Sequence, residues 1–325
     1  MGFVRLENVR SPLPFSIENS NPFQYTHTLE VNNASSLAQL ISSRSVYVKA
    51  TGEVIDLSSI PLSIEDLRFE DYSQVDSSVL SFNLSPFSHL KSVTIGDDSF
   101  GSPIEFIANG LNELISIHIG MNSFTRSRMS RAERWNREFH VKNCGSLREL
   151  IIGRYSFSDY CVFDLSNLPQ LRTISIGTVD QSYNFYYAYD VDLIDLPSLE
   201  SISIGSYSFC HCHSVRFENL TCFQSMYLYQ GAFQGDWGDD RKSNSTAPFN
   251  YRNTLTMKNL NHLISMHIPS ICFRCIGSVV LENIPILSSG SITGGDNNQF
   301  VSVYELNATN AVTLESFIRS RSSYV

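Results

Sequence analysis

The stretch from Leu90 to Phe100, LKSVTIGDDSF, returns from Leu199 to Phe209 as LESISIGSYSF. Chemistry needs its residues once per site, so a recurring phrase builds architecture, and self-similarity at a fixed period marks a stack of repeats. Aligned on the first leucine, the copies begin at Leu90, Leu114, Leu147, Leu171, Leu199, Phe223, Leu263 and Leu287, with steps of 24, 33, 24, 28, 24, 40 and 24. Four steps are equal and the other three exceed them by 9, 4 and 16, which reads as a 24-residue coil carrying three insertions. A chain of 325 residues would ordinarily divide into two compact domains, but a solenoid grows by adding coils and escapes that limit.

Within each copy apolar residues stand at positions 1, 4, 6 and 11, as in Leu114, Ile117, Ile119 and Phe124. The alternation at positions 4 to 6 predicts a short strand. Glycine at position 7 (Gly96, Gly120, Gly153, Gly177, Gly205) is expected to permit a turn that a side chain would hinder. The phenylalanines at position 11 (Phe100, Phe124, Phe157, Phe209, Phe233, Phe273) are expected to stack as an aromatic spine. A second alternation (Phe139 and Val141, Phe163 and Leu165, Val215 and Phe217, Val279 and Leu281) predicts another extended segment per coil. Asparagine or aspartate follows it at Asn143, Asn167, Asp195, Asn219, Asn259 and Asn283, where a short amide is expected to bond turn backbone that is otherwise buried unpaired.

The ends need separate treatment, because a stack must shield its terminal coils. Ser36 and Gln39 have capping-box spacing before the strand-like SVYVKA, and Ile64, Leu67 and Phe69 match a weak first coil. Val303 and Asn307 lie 24 residues after Val279 and Asn283 and continue the register, after which TLESFIRS predicts a helix with Leu314, Phe317 and Ile318 facing inward. Residues 1 to 33 match no copy. The expected organisation is an N-terminal segment and cap over 1–53, a solenoid over 54–311 and a C-terminal cap over 312–325.

The spacing L-x-x-L-x-L with its following turn resembles the leucine-rich repeat. LISIHIGMNSF (Leu114–Phe124) matches that family's strand pattern throughout, with Asn122 in the asparagine slot and Phe124 replacing the final leucine. The I-G-x-x-S-F wording is similar to the I-G-x-x-A-F signature of the BspA-like subclass. The chain departs from the pattern where the slot holds Asp98, Tyr155, Val179, Tyr207 or Ile271, so the later asparagine ladder is expected to stand in for the usual one. The resemblance implies a leucine-rich repeat solenoid, a mostly β right-handed superhelix. Its parallel strands would stack in about 9–10 coils of 24 residues, with short capping helices at the ends. It implies no single activity.

Composition narrows the function. At 42% hydrophobic and 17% charged the chain carries enough apolar material for a core, and its net charge of −9 argues against nucleic-acid binding, which needs a basic surface. No run approaches the ~18 apolar residues that would cross a bilayer, and MGFVRLENVR lacks the apolar core of a secretory signal. Seven cysteines, an odd number, fit free thiols in a reducing compartment, so a cytoplasmic location is expected. Glycosylation triplets at Asn33, Asn83, Asn219, Asn244 and Asn307 fit the alternative, a secreted or surface recognition protein.

Function is sought where the copies differ. All three insertions are read as following the position-11 aromatic, so they leave the stack along one edge, at 125–138, 178–190 and 234–254. The first holds Arg126, Arg128, Arg131, Arg134, Trp135 and Arg137 in an acidic chain, and reads either as a face that docks an acidic partner protein or as a solvated loop. In the second, some of Tyr183, Phe185, Tyr186, Tyr187 and Tyr189 must fill a gap in the spine. The third, with Asp236, Asp239, Asp240 and Trp237, has too few oxygen ligands for calcium.

FCHCHS and CFRC suggest zinc, but tetrahedral zinc holds its sulfurs within roughly 4 Å. The two groups stand two coils apart, roughly 10 Å, so no shared site is expected; whether Cys210, His211, Cys212 and His213 hold a metal locally stays open. His118 and His267 share position 5 but are read as six coils apart, and position 3 reads Ser92, Ser116, Glu149, Thr173, Ser201, Ser225, Ser265 and Ser289, a ladder mostly of hydroxyls. No nucleophile-base-orienter set or phosphate loop is present. The expectation is a non-enzymatic protein–protein interaction scaffold without cofactor, binding its partner along the insertion-bearing edge.

Overall fold

A computed structural model describes residues 3–7, 28–32, 47–50, 57–60, 62–126, 137–237 and 252–325. The chain winds as a parallel β-solenoid in which each coil gives one strand to each of two sheets. Sheet I has ten strands running from Tyr47–Ala50 to Ile292–Thr293, and sheet II nine, from Ser81–Asn83 to Glu305–Thr309. Every pairing is parallel, which requires a crossover between paired strands, and the other half of each coil supplies it. Ser92 pairs with Ser116, Ser116 with Glu149, Glu149 with Thr173, Thr173 with Ser201, Ser201 with Ser225 and Ser225 with Ser265. These are the position-3 residues of successive copies, so the sequence period is the strand register.

Strand alternation builds the core. Val93 and Ile95, Ile117 and Ile119, and their counterparts up to Met226 and Leu228 face inward from sheet I. Phe106 and Ala108 through Val279 and Leu281 meet them from sheet II. The phenylalanine spine runs through this interior as Phe69, Phe100, Phe124, Phe157, Phe185, Phe209, Phe233, Phe273 and Phe300. Successive ring centroids are 5.0, 5.5, 4.8, 5.2, 5.2, 5.2, 5.8 and 5.1 Å apart. That matches the ~4.8 Å rise between neighbouring strands, so each ring rests on the next.

The turn that aims these rings is left-handed at two residues per coil: Asn122 and Phe124 have φ of 55° and 55°, Tyr207 and Phe209 of 58° and 54°. Such a residue costs about 1–2 kcal/mol, and the serine between the pair ties the turn to its neighbours. The Ser99 amide donates to Ser123 Oγ at 3.1 Å, the Ser123 amide to Ser156 Oγ at 2.9 Å, and the Ser156 hydroxyl to the Gly120 carbonyl at 2.6 Å. These buried serines form the hydrogen-bonded ladder of the core, a role their recurrence did not disclose.

Two expected roles change. Gly177 turns with φ 74° as expected, but Gly96, Gly120, Gly153 and Gly205 do not have positive φ; instead a Cβ on Gly153 would lie 2.6 Å from the Gly120 carbonyl carbon. Glycine is required here by the close approach of adjacent coils. The asparagine ladder bonds to itself rather than to buried turn backbone: Asn167 donates to Asn143 at 2.8 Å, Asn219 to Asp195 at 2.7 Å and Asn259 to Asn219 at 2.7 Å. Each member sits at φ of 53–57°, a conformation that asparagine and aspartate tolerate.

The second insertion has a different phase from the one expected. Phe185 takes the spine place, so the extra residues lie between Gly177 and Phe185, where the Thr173–Gln181 strand shifts register after Ile176. That insertion precedes the aromatic, and the three do not share one edge.

At the C-terminal end Val279 pairs with Leu306, not with a residue 24 further on, and Asn310 rather than Asn307 stands next to Asn283. A turn at Ser289–Ser291 lengthens this coil, which lets Phe300 close the spine. The helix Val312–Arg319 then buries Leu314 and Ile318 against the end, with Phe317 edge-on to Phe300 at 6.3 Å.

At the start, sheet I already includes Tyr47–Ala50, paired with Asp66–Phe69, before residue 54. Phe3–Glu7 and Thr28–Asn32, which matched no copy, pair as a separate two-stranded parallel sheet. The helix expected at Ser36–Gln39 lies outside the described residues. Among the described residues no helix is long and apolar enough to cross a membrane.

Candidate functional site

Between the spine and sheet II each coil runs through a short arc, and the arcs stack. Their residues are Thr125 and Arg126, then Ser158 to Tyr160, Tyr186 to Tyr189, Cys210 to His213, and Gln234 to Trp237. Of the residues expected to dock a partner, Arg126 is exposed and donates from Nη2 to the Ser102 carbonyl at 2.7 Å. Arg128, Arg131, Arg134 and Trp135 lie outside the described residues.

Arg137 does not belong to a docking face. It is 1% exposed, pairs through Nη1 with Asp159 Oδ2 at 2.5 Å and donates from Nη2 to the Pro103 carbonyl at 2.5 Å. Its guanidinium lies 4.6 Å from the centre of the Tyr160 ring, whose hydroxyl donates to the same carbonyl at 2.9 Å. Burial raises the Asp159 carboxyl above its ordinary value, with Arg137 opposing the shift. A buried charge needs its partner, so this pair fastens three successive coils.

Two to three coils further on lies a cluster that the sequence did not announce. Asp236 Oδ1 accepts from His211 Nδ1 at 2.7 Å, and Oδ2 from His213 Nε2 at 3.1 Å. Burial alone would raise the Asp236 carboxyl, but these two hydrogen bonds outweigh it and hold the group well below the usual carboxylate range. The His211 ring lies between Tyr187 at 5.2 Å and Trp237 at 4.2 Å, with Tyr186 edge-on at 4.8 Å. His213 packs edge-on to Tyr189 at 4.6 Å and stays 46% exposed. Phe185 and Tyr187 go into the interior, as the gap in the spine demanded, whereas Tyr183, Tyr186 and Tyr189 remain half-buried at the surface. The signal was spread over two coils: H-x-H in one, and D-W about 24 residues later in the next.

Two cysteines flank His211 on the buried side of this cluster, and Cys210 is hydrogen-bonded to Tyr186. Cys210 and Cys212 are fully buried, and burial pushes the Cys212 and Cys272 thiols up to about 12. Cys210 Sγ donates to Gln234 Oε1 at 3.3 Å and Cys272 Sγ to the Tyr229 carbonyl at 3.2 Å. Among the described residues no three His, Cys, Asp or Glu side chains converge as metal ligands.

Two features flank the cluster. Tyr155, Tyr183 and Tyr207 stack at 6.0 and 5.5 Å along the preceding turn, each half-buried. A cleft of about 400 Å³ opens beside Tyr189 on the outer face of sheet II, bounded by Asp164, Asp190 and Asp192. Asp164 is paired with Lys142, and Asp192 with Arg216 at 3.4 Å. His118 and His267 stand five strand steps apart rather than six, the first bonded to Glu149 at 2.7 Å and the second stacked on Tyr227 at 4.3 Å. The cluster thus presents aromatic rings with polar edges around a carboxylate that two imidazoles hold in place. Set against known proteins, the chain matches no family model and no curated sequence.

Proposed function

We propose that the chain is a non-enzymatic scaffold of the leucine-rich repeat type, BspA-like in its repeat wording and right-handed as that family implies. It binds another protein in the cytoplasm. The observation that carries this reading is the half-exposed group Tyr186, Tyr189, His213 and Trp237 around Asp236, on the arc where the 33- and 40-residue coils carry their extra residues. Tyrosine, tryptophan and arginine dominate the energetic centres of protein interfaces, because they bring large contact area with few rotors to freeze. Their positions here are fixed by stacking before any partner arrives, which lowers the ordering cost of binding. Arg126, with Arg128, Arg131 and Arg134 following it in sequence, gives the same arc a basic end suited to an acidic partner surface.

The test compares intact protein with a Tyr189→Ala/His213→Ala variant and with one in which Arg126, Arg128, Arg131 and Arg134 are serine, all three shown to melt alike. The reading expects a cytosolic protein captured by the intact chain and lost from both variants. Capture of the same proteins by all three would remove the arc as the interface.

A second reading, a secreted recognition protein, is favoured by two of the glycosylation triplets. Asn83 and Asn307 are exposed, whereas the amide nitrogen of Asn219 is engaged with Asp195. Glycan found on Asn83 and Asn307 in protein from its native source would favour this reading; bare asparagines there would count against it.

A further inference from the structure

The last strand of sheet II, Glu305–Thr309, departs from the others in its burial. Its inward-facing residues Leu306 and Ala308 are only half-buried, whereas the residues they continue, Val279 and Leu281, are fully buried, as are the equivalent pairs back to Phe106 and Ala108. The helix Val312–Arg319 covers the core end through Leu314 and Ile318 and leaves this column short of one neighbour. Sheet I ends differently, in a strand of only two residues, Ile292–Thr293, and a short edge strand is itself a block to further pairing. Glu305–Thr309 has five residues and neither lysine nor proline, the usual edge blocks.

The main chain of this strand is half used. The Thr309 carbonyl accepts from the Asn283 amide at 3.0 Å, so with the pleat Asn307 and Glu305 also face the neighbouring strand. Leu306 and Ala308 therefore turn their N–H and C=O groups outward, and among the described residues none of these four groups has a partner beyond the sheet. Two outward residues spaced two apart suit an antiparallel edge centred on the residue between them, because antiparallel strands exchange both bonds at alternate residues.

From this we infer that the chain self-associates as a two-fold dimer through antiparallel pairing of Glu305–Thr309 with the same strand of a second copy. Centred on Asn307, Leu306 meets Ala308 of the second copy, Glu305 meets Thr309, and Asn307 meets Asn307. All eight outward groups of the two strands are satisfied by four main-chain bonds. The larger apolar side chain lies opposite the smaller one, which seals the half-buried column, and no like charges oppose each other. The interface is isologous, so it closes at two copies and makes no fibre.

The test is sedimentation equilibrium of the full chain, made in a host that does not N-glycosylate so that Asn307 stays bare. The concentration series extends to about 0.5 mM, high enough to reveal a Kd as weak as about 1 mM. The intact chain is expected to dimerise. Asn307→Lys and Asn307→Glu each place like charges on the two-fold axis and should weaken association by about tenfold or more. Since residue 307 is exposed and at the surface, both variants should melt like the intact protein. An equimolar mixture of the two variants should recover the dimer, since lysine then faces glutamate. A monomeric intact chain throughout the series overturns the inference, as does association that the single variants leave unchanged. Variants that are monomeric alone and stay monomeric when mixed overturn the two-fold register.

Discussion

Gly153→Ala tests what holds adjacent coils at their spacing. The new methyl carbon would lie 2.6 Å from the Gly120 carbonyl carbon and 2.7 Å from both the Gly120 oxygen and the Met121 nitrogen, all main-chain atoms of the preceding coil. A flexible side chain could swing away, but this backbone can yield only by opening the stack. Overpacking of an interior costs about 1–3 kcal/mol, and contact with main chain puts this case near 3. Replacing glycine by alanine at an unstrained φ returns about 0.4–1 kcal/mol through the unfolded chain. The net loss is about 2 kcal/mol, or a melting midpoint about 4–8 °C lower. Two other glycines serve as controls. Gly290→Ala meets nothing within 4 Å and has no positive φ, so it should match or slightly exceed the parent. Gly110→Ala also meets nothing but sits at φ 75°, so it should lose about 1 kcal/mol from strain alone. Thermal melts followed by circular dichroism rank the three. If Gly153→Ala melts with Gly290→Ala, coil contact does not explain the glycine column.

Other perturbations reach the ladder and the arc. Arg137→Ala should cost about 3–5 kcal/mol by leaving Asp159 buried without its counter-charge. Adding Asp159→Leu to Arg137→Met should recover most of the loss, and denaturant melts of the single and double variants check both. Ser123→Ala strands the Ser99 amide and the Gly96 carbonyl and should cost about 1–3 kcal/mol, read from the same melts. The Asp236 carboxyl is depressed in the folded state, so the stability it contributes is present above its ordinary value of 3.8 and is lost as pH falls through the lower, folded value. Asp236→Asn should therefore be less stable than the parent near neutral pH and converge with it in strong acid, as melting midpoints across pH would show.

The period, the two strands per coil and the phenylalanine spine were legible because residue type alone carries them: leucine and isoleucine at alternating places, and phenylalanine at one fixed distance. Features that depend on the neighbouring coil were not. Glycine at position 7 looks like a turn residue in one coil and becomes a contact residue only when Gly120 lies beneath Gly153. Arg137 looked like one more surface arginine, because nothing in its own loop shows that Asp159 waits in the next coil. Phe185 displaced Gln181 from the spine since the interior selects a ring over an amide, and that moved the second insertion to the other side of the aromatic. The histidine and aspartate cluster escaped for the same reason: His211 and Asp236 are partners only across a stack.

The aromatic arc is the proposed docking site of a partner protein. Amide hydrogen exchange on the captured complex, compared with the free chain, tests it most directly. Slowed exchange is expected, concentrated at residues 186–189, 210–213 and 234–237. Protection confined to the outer face of sheet I, with the arc exchanging as in the free protein, would contradict it.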